Sequence, residues 1–238
     1  MEKLVSCLSL LTLIAVGALV EVNVAVAEDE TAAPQFMLRV EIFDLPADEA
    51  LRIQQEVAIQ PDQLETRNAV LDMVKEGKAR FVTSAPLVCR HGVRGKYEDI
   101  EEIPVIEDFT WNEEAKQLVP KFGIRDVGTI FEVDPNLGED GETLDINFAL
   151  EHHTGQPETK SLMVPMGDTE KSREVSVTHF HMKKVTTRVY LKRGAVALIG
   201  AFDVTGPRDK GDSGPTIENP KRLAFLCADV QEFDAESK

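Results

Sequence analysis

Four histidines lie near one another along the chain and are the residues best suited to bind a metal. His152 and His153 end one predicted strand, and His179 and His181 begin the strand that is predicted to pair with it. Because residues two apart in a strand point to the same side, His179 and His181 share a face, and His152 shares the face of the preceding apolar residues. Imidazole is a common zinc ligand, so His152, His179 and His181 form a candidate metal site. The alternative is that these rings are solvent-facing residues that cover the end of a hairpin.

The signatures of enzyme catalysis and of nucleotide or calcium binding are missing from the sequence. Ser84, Asp126 and the histidines supply the residue types of a hydrolase triad, but no Gly-x-Ser-x-Gly segment positions a nucleophile. No glycine-rich phosphate loop and no Cys-x-x-Cys pair occurs. An EF-hand in residues 134–142 is excluded because Gly138 stands where an oxygen ligand is needed. The sequence therefore favours a protein that is not an enzyme and needs no cofactor.

Residues 1–27 have the three parts of a secretory signal peptide. Lys3 gives a basic start, residues 4–20 are apolar, and Ala25-Val26-Ala27 forms a small-residue cleavage site. An uncleaved membrane anchor is the alternative, but a spanning helix needs about 20 consecutive apolar residues, and Glu21 interrupts the run. We expect export to the periplasm, possible contact with the outer membrane, and a mature chain that begins at Glu28 and has no transmembrane helix.

The charge of the chain restricts its partners. The formal net charge is −16 at pH 7, and a leader whose two acids and one base carry −1 would leave −15 on the mature chain. Such an acidic surface repels phosphate groups, which excludes nucleic acid and disfavours anionic lipid. Protein partners or self-association remain as the expected interactions.

Two cysteines, Cys89 and Cys227, remain in the mature chain because Cys7 belongs to the leader. In an exported protein, two cysteines on predicted strands can form one disulfide, which would tie the start of the β-rich region to its end. The alternative is a pair of buried free thiols, which are common among core residues.

The elements that position these residues begin with a small α/β unit at residues 35–77. Residues 38–42 alternate between apolar and charged and predict a strand that ends near Asp44. Asp44 or Leu45 is the expected N-cap of a first helix that reaches Val57, and a second helix is expected between Asp62 and Gly77. Residues 28–34 are predicted to be a disordered start.

Residues 78–231 follow an almost purely β pattern, and residues 232–238 are predicted to be a flexible tail. Residues 127–133 and 144–150 alternate with period two on either side of Asp140-Gly141, which predicts a hairpin, and residues 185–191 give a third such strand. Pro86 indicates an edge strand or a bulge, because proline cannot donate to a sheet ladder. Residues 96–109 alternate only weakly, residues 111–117 are expected to be a polar connection, and residues 154–173 a polar insert.

Three segments in this order resemble one known family. They are residues 77–86, which contain Gly77 and Pro86; residues 127–135, which contain Gly128 and Pro135; and residues 186–200, which contain Gly194 and Gly200, with Gly141 at the hairpin turn between the last two. This pattern resembles the secretin homology domain, the β module of the outer-membrane channels of type II and type III secretion systems and of type IV pili. The resemblance implies an α+β, mainly β fold in which a strand-helix-helix unit precedes an antiparallel secretin-like β-domain.

The resemblance implies the fold more strongly than a pore. The second glycine of the family's closing pair is Ala201 here, and the insert at 154–173 lacks the aromatic, alternating residues of membrane-spanning β-hairpins. The favoured hypothesis is an exported, non-catalytic protein of the cell envelope that acts by protein binding or self-assembly at open sheet edges, as an accessory to protein secretion or a pilus system. The alternatives are a component of an oligomeric outer-membrane channel, in which residues 162–166 form a lip that touches lipid, and a periplasmic metal or ligand binder.

Overall fold

The computed structural model describes residues 34–57, 60–114, 117–154, 157–165, 172–206 and 214–231. The predicted signal peptide and most of the predicted disordered start, together with the predicted tail at 232–238, lie outside these residues. The elements are β1 (Gln35–Pro46), α1 (Ala47–Val57), α2 (Leu64–Lys75), β2 (Arg80–Arg90), β3 (Gly95–Asn112), β4 (Gln117–Leu137), β5 (Thr143–His153), β6 (Glu158–Pro165), β7 (Ser172–His179), β8 (Met182–Lys192), β9 (Val196–Asp203) and β10 (Pro220–Gln231). The prediction of an α+β, mainly β chain is confirmed.

The strands form two four-stranded sheets and one two-stranded ribbon. Sheet A has the order β2-β1-β10-β9, sheet B has the order β3-β4-β5-β8, and β6 pairs with β7. All of these pairs are antiparallel. β1 lies in the middle of sheet A, so the residues of the predicted N-terminal unit share a sheet with the C-terminal strand β10. β2 is an edge strand, as Pro86 predicted.

Sheets A and B pack face to face around the main core. Alternate residues of β1, among them Phe36, Leu38 and Val40, point toward sheet B and are buried. They meet the inward residues of the predicted hairpin, which the alternation of the sequence identified correctly. The buried members on sheet B are Phe131, Val133, Leu144, Ile146, Phe148, Leu150 and Leu191.

The two helices cover the other face of sheet A. Phe43, Leu45, Leu223 and Phe225 point away from sheet B and pack on buried residues of both helices. α2 ends where predicted: Gly77 has a φ of +73°, and its N–H donates to the carbonyl of Val74 over 3.0 Å. α2 is also tied to β1, because Arg67 of α2 donates two hydrogen bonds, of 2.7 and 2.6 Å, to the buried carboxylate of Glu41.

β3 and β4 extend far beyond the rest of sheet B. β4 pairs with β5 only between Thr129 and Leu137, whereas it pairs with β3 from Gln117 to Val133. Residues 103–112 and 117–127 therefore form a two-stranded projection, which we call the hairpin arm. The prediction of a polar connection at 111–117 is wrong, because Trp111 is part of β3 and Gln117 begins β4.

Two further predictions differ from the structure. The insert at 154–173 contributes β6 and the start of β7, so residues 158–165 and 172–179 form a ribbon beyond β5 and β8. Pro135 does not end its strand, since β4 continues to Leu137 and Pro135 is buried opposite Ile146. Proline has no N–H to donate. It is tolerated at this position because the pairing of β4 with β3 has already ended, at Val133. In the described residues, neither helix is long and apolar enough to cross a membrane.

Candidate assembly interface

No strand of the described part of the chain pairs with the outer side of β3 or of β8, and these two edge strands of sheet B carry opposite charge. The sheet ends at β3 on one side and at β8 on the other. β3 contains six acidic residues and one lysine, whereas β8 contains four basic residues and no acid. An unpaired strand edge exposes a row of backbone N–H and C=O groups that can pair with another strand. The two edges therefore offer complementary charge as well as unpaired backbone.

The register places the opposite charges on the same rows of the sheet. Lys184 of β8 pairs with Glu151 of β5, which pairs with Ile130 of β4, which in turn pairs with Glu98 of β3. The same tracing, through His152 and Thr129, puts Lys183 and Asp99 on the next row. The other three rows that can be traced in this way combine Val185 with Tyr97, Thr186 with Lys96, and Thr187 with Gly95. No traced row carries like charges at its two ends.

The strand directions also allow the sheet to continue from one copy to the next. Each strand of sheet B is antiparallel to its neighbour, so β8 runs opposite to β3. A second copy translated sideways in the same orientation would place its β3 antiparallel to β8 of the first. Without any slip along the strands, Lys184 would face Glu98 and Lys183 would face Asp99.

Ion pairs link β8 to β5 on the outer face of sheet B. Arg188 of β8 donates from Nε to Asp145 of β5 over 2.6 Å, and Lys184 pairs with Glu151. The hydrogen bond from Arg188 lowers the pKa of Asp145, so this carboxylate stays ionised under mildly acidic conditions. These pairs are solvent-exposed, so each contributes only about 0–1 kcal/mol to stability.

A buried polar cluster fixes sheet B against sheet A. Asp44 of β1 accepts hydrogen bonds of 2.7 and 2.9 Å from the guanidinium of Arg222 on β10, and it also accepts one from Arg80 of β2. Arg222 reaches across the sandwich and donates from Nη1 to Nε2 of His152 on β5 over 2.7 Å. The expected capping role of Asp44 is wrong, because its carboxylate is fully buried and points to these arginines.

The protonation state of His152 follows from these contacts. Arginine only donates hydrogen bonds, so Nε2 of His152 is an acceptor and the proton of the neutral ring is on Nδ1. Nδ1 then donates to the hydroxyl of Thr129 over 2.9 Å. Burial, together with the positive charge of Arg222, lowers the pKa of His152 to about 3. We call Asp44, Arg80, Arg222, His152 and Thr129 the ionic clamp.

The candidate metal site does not come together in the structure. His152 is buried in the ionic clamp with both ring nitrogens already hydrogen-bonded. His179 ends β7 and is exposed, while His181 lies between β7 and β8 with Nε2 3.5 Å from a carboxylate oxygen of Glu158. Among the residues that the structure describes, no three histidine, cysteine or acidic side chains are grouped as a metal would require. The three-histidine prediction is therefore corrected.

The expected disulfide is not formed either. Cys89 and Cys227 are both free. Cys89 on β2 points into the core between the sheets, whereas Cys227 on β10 packs on the helix side of sheet A. With β1 between their strands and their side chains on opposite faces, a bridge would require the sheet to rearrange. Burial raises the pKa of Cys89 to about 11, which keeps this thiol protonated and unreactive.

The structure explains why glycine is needed at two positions of the sequence motifs, Gly128 and Gly194. Gly128 has a φ of +151°, and a Cβ at this position would collide with the carbonyl oxygen of Asp99 on β3. Its N–H donates to Nδ1 of His153 over 3.1 Å at the point where β4 leaves β5. Gly194 has a φ of +73° in the turn that joins β8 to β9. Of the other motif residues, Gly141 lies in the β4–β5 turn and Gly200 lies in β9.

The residues of the ionic clamp other than His152 were not identified as a site from the sequence. Asp44 and Arg222 are 178 positions apart, and each stands in an ordinary alternating strand. The only available signal was a charged residue at an inward position of a strand, which single-sequence patterns cannot distinguish from an exposed residue.

Comparisons with known proteins return secretin domains among the solved structures. No family model matches the chain, and no curated protein matches it. A secretin domain of InvG from the Salmonella SPI-1 injectisome matches with a TM-score of 0.38 and 10% identity over 87% of this chain and 64% of that one. GspD in an enterotoxigenic Escherichia coli pilotin–secretin complex matches with a TM-score of 0.42 and 13% identity over 84% of this chain and 50% of that one.

PilQ, the type IV competence pilus secretin of V. cholerae, matches with a TM-score of 0.36 and 12% identity over 84% of this chain and 57% of that one. The chain thus spans between half and about two thirds of the length of these three structures. All three TM-scores are below 0.5, and all three matched structures are secretins or secretin domains.

Proposed function

We propose that this chain is an exported, non-catalytic protein of the cell envelope that acts by edge-to-edge self-association of sheet B. In this proposal, β8 of one copy adds to β3 of the next, and the assembly serves a secretion or pilus system. The order of the secretin-like motifs supports that setting. The observation that carries the proposal is the match of Lys183 and Lys184 with Asp99 and Glu98 along two rows of one sheet.

In this contact the backbone N–H and C=O groups of β8 and β3 form the hydrogen bonds between the strands, and the side-chain charges determine which edges pair. Opposite charges directly across an antiparallel pair contribute about 0.2–1 kcal/mol each, and like charges are destabilising by a similar amount. If β3 paired with β3 of a second copy, acidic side chains such as Asp99 would face one another. If β8 paired with β8, basic side chains such as Lys184 would face one another. The charges thus favour head-to-tail addition over symmetric pairing.

The titratable residues support a non-catalytic role. One cluster of ionisable groups, Asp44, Arg222 and His152, is buried, and its members bind one another. General acid–base catalysis needs a group within hydrogen-bond reach of a substrate, and these buried side chains contact one another instead. The cluster serves to orient the two sheets.

Light scattering coupled to size exclusion tests the proposal. Wild-type protein at low salt is expected to elute with a molar mass that is a multiple of the monomer's. In about 1 M salt the Debye length falls to roughly 3 Å, so the assembly should shrink. The double variant Glu98→Lys, Asp99→Lys should be monomeric at low salt.

The matched control carries the same change of charge on α2 and the turn after it. Glu65 and Glu76 are exposed and lie far along the chain from both edges, so Glu65→Lys, Glu76→Lys should assemble like wild type. A monomeric wild type, or equal loss of assembly in the two double variants, would overturn the proposal.

The remaining alternative, an oligomeric channel component, uses the same contact. A closed ring would give one large, defined molar mass, whereas open addition would give a mass that rises with concentration. The same light-scattering experiment therefore distinguishes the two arrangements.

A further inference from the structure

The two helices leave one end of the helix-side face of sheet A uncovered. Two neighbouring rows of this face remain open; they consist of Val88, Met37 and Asp229, and of Pro86, Arg39 and Cys227. Val88 is 61% exposed and Met37 is 41% exposed, although both side chains are apolar. One row further along β1, Glu41 is buried and bonded to Arg67 of α2. The cover provided by the helices therefore begins only at Glu41.

The open rows are the floor of a preformed groove of about 420 Å³. The start of α2 forms one wall, and hydrogen bonds to β9 hold this wall in place. The carboxylate of Asp62 accepts one of 3.0 Å from the N–H of Val196, and the side-chain oxygen of Gln63 accepts one of 2.7 Å from the N–H of Leu198. The main lining residues, which we call the sheet A groove, are Met37, Arg39, Leu64, Val88 and Cys227.

The charge of the groove differs from that of the chain as a whole. Arg39 and Arg67 both bind the carboxylate of Glu41, over 2.8 and 2.6 Å, so two cations share one anion. Asp229 balances the remaining positive charge at one end of the floor. The groove is thus neutral in a chain whose formal net charge is −16. An acidic segment is not repelled here as it would be by an acidic surface.

Residues 232–238 follow β10 in the sequence and have a composition that suits this groove. They read Glu-Phe-Asp-Ala-Glu-Ser-Lys, so Phe233 and Ala235 alternate with three acids. In an extended segment the two apolar side chains share one face, and the acids point the other way. Residues 28–33, which precede β1, consist of three acids, two alanines and a threonine and offer no large apolar side chain.

The groove is within reach of this segment. Asp229 lies two residues before Gln231, the end of β10, and is therefore about 7 Å back along the strand. Phe233 lies two residues beyond Gln231, so its Cα is also within about 7 Å of that point. A chain that turns over the helix-side face after Gln231 brings the ring of Phe233 over the row of Met37 and Val88.

Covalent attachment favours this segment over a separate occupant. A binding segment on a short linker is present at a high effective concentration, in the millimolar range. A second copy of the chain, or another protein, would have to exceed that concentration or make more contacts in the same groove. The sequence that follows β10 is therefore the occupant that the geometry favours.

We propose that residues 232–238 fold back over the helix-side face of sheet A and place Phe233 in the sheet A groove. In this arrangement the segment covers Met37, Val88 and Cys227, and it is an ordered part of the fold instead of the flexible tail that its composition predicted. The contact lies on the side of sheet A that faces away from sheet B. It does not involve β3 or β8 and does not depend on self-association.

Cys227 reports directly on this cover because it lies on the floor of the groove. Cys227 is half-buried, whereas the Cys89 thiol is buried between the sheets with its pKa raised to about 11. In the chain that begins at Glu28, a maleimide should therefore label Cys227 in preference to Cys89, and peptide mapping by mass spectrometry identifies the labelled residue.

Removal of residues 232–238, or the single change Phe233→Ser, should raise the labelling rate of Cys227. An increase of about tenfold is expected, because burial of one phenylalanine favours the closed segment while the ordering of its backbone opposes it. Phe122→Ser is the matched control, since it removes a phenylalanine that is 65% exposed on the hairpin arm, and it should label like wild type. Circular dichroism confirms that each variant is folded.

NMR provides a second readout that does not depend on thiol chemistry. In the wild-type protein, nuclear Overhauser effects should connect the ring protons of Phe233 with the methyl groups of Met37 and Val88. The charge-reversed variant Glu98→Lys, Asp99→Lys should show the same labelling difference on removal of residues 232–238. A failure of self-association would therefore leave this result unchanged.

Three results would overturn the inference. One is a labelling rate that stays the same in both variants of residues 232–238, together with missing contacts to Phe233 in the NMR spectra. Another is a rise in the rate when residues 28–33 are deleted but not when residues 232–238 are removed. The third is protection of Cys227 that grows with protein concentration, which would mean that a second copy fills the groove.

Discussion

The ionic clamp predicts a specific loss of stability between pH 7 and pH 5. An unfolded histidine has a pKa of about 6.5, whereas the pKa of His152 in the folded protein is about 3. Between these values the unfolded chain binds a proton at His152 and the folded chain does not. Stability therefore falls as pH falls through 6.5, and the loss continues until the pH reaches the pKa of the folded state.

The magnitude follows from the two pKa values. Proton linkage for one group with these values removes about 2 kcal/mol of unfolding free energy between pH 7 and pH 5. Four carboxylates have a lowered pKa and act in a different window. They are Asp134, Asp140, Asp145 and Asp203. Their contribution is present above the pKa of an unfolded aspartate, about 3.9, and is lost only below it. The range from pH 5 to 7 therefore isolates histidine.

The assay is urea unfolding at pH 7 and pH 5 for wild type and His152→Gln. The glutamine side chain keeps an oxygen that can accept from Arg222 and cannot be protonated in this range. We expect the variant to lose about 2 kcal/mol less than wild type between the two pH values. His179→Gln removes an exposed histidine and should keep the wild-type difference.

Two results would refute this reasoning. One is an identical pH dependence for wild type and His152→Gln. The other is an NMR titration in which the His152 ring takes up a proton near pH 6.5 while the protein remains folded.

Three other perturbations test the fold. Asp44→Ala leaves the charge of Arg222 buried without its carboxylate partner and should cost about 3–5 kcal/mol in urea unfolding. Asp145→Ala removes a surface pair and should cost less than about 1 kcal/mol, so equal costs would contradict the clamp. Gly128→Ala should cost about 1–3 kcal/mol because of its φ of +151° and the nearby Asp99 carbonyl, so an unchanged stability would contradict the assigned backbone. Mass spectrometry with and without reductant should show no difference, whereas a shift of about 2 Da would indicate a disulfide.

Local alternation was sufficient to predict the β-sandwich core. Phe131, Val133, Leu144 and Ile146 recur with period two on either side of a turn signal, so their shared buried face follows from strand geometry. The helices were equally readable, because Gly77 ends α2 where its positive φ is required. These features depend only on residues that are close in sequence.

Long-range features were not predictable in the same way. The charge of Asp44 indicated a helix cap because its true partner, Arg222, lies at the other end of the chain. The arm was missed because a bulge between Ile106 and Asp108 interrupts the alternation of β3. The metal prediction failed because strand spacing shows which residues share a face and leaves open what else lies on that face. For His152, the neighbour was an arginine.

The candidate interface between β3 and β8 was predictable only in part. The acids of β3 and the bases of β8 are visible in the sequence, but only the registers through β4 and β5 place Glu98 and Lys184 on one row. Only the strand order of sheet B shows that the charged segments β3 and β8 form its two edges and that their charges are complementary.

Mixing two charge-reversed proteins tests the central claim most directly. Glu98→Lys, Asp99→Lys has two basic edges, and Lys183→Glu, Lys184→Glu has two acidic edges. Light scattering at low salt should find each variant monomeric on its own. An equimolar mixture should assemble, because every contact between unlike variants pairs a basic edge with an acidic one. A mixture that stays monomeric while wild type assembles, or variants that assemble alone, would contradict association through these edges.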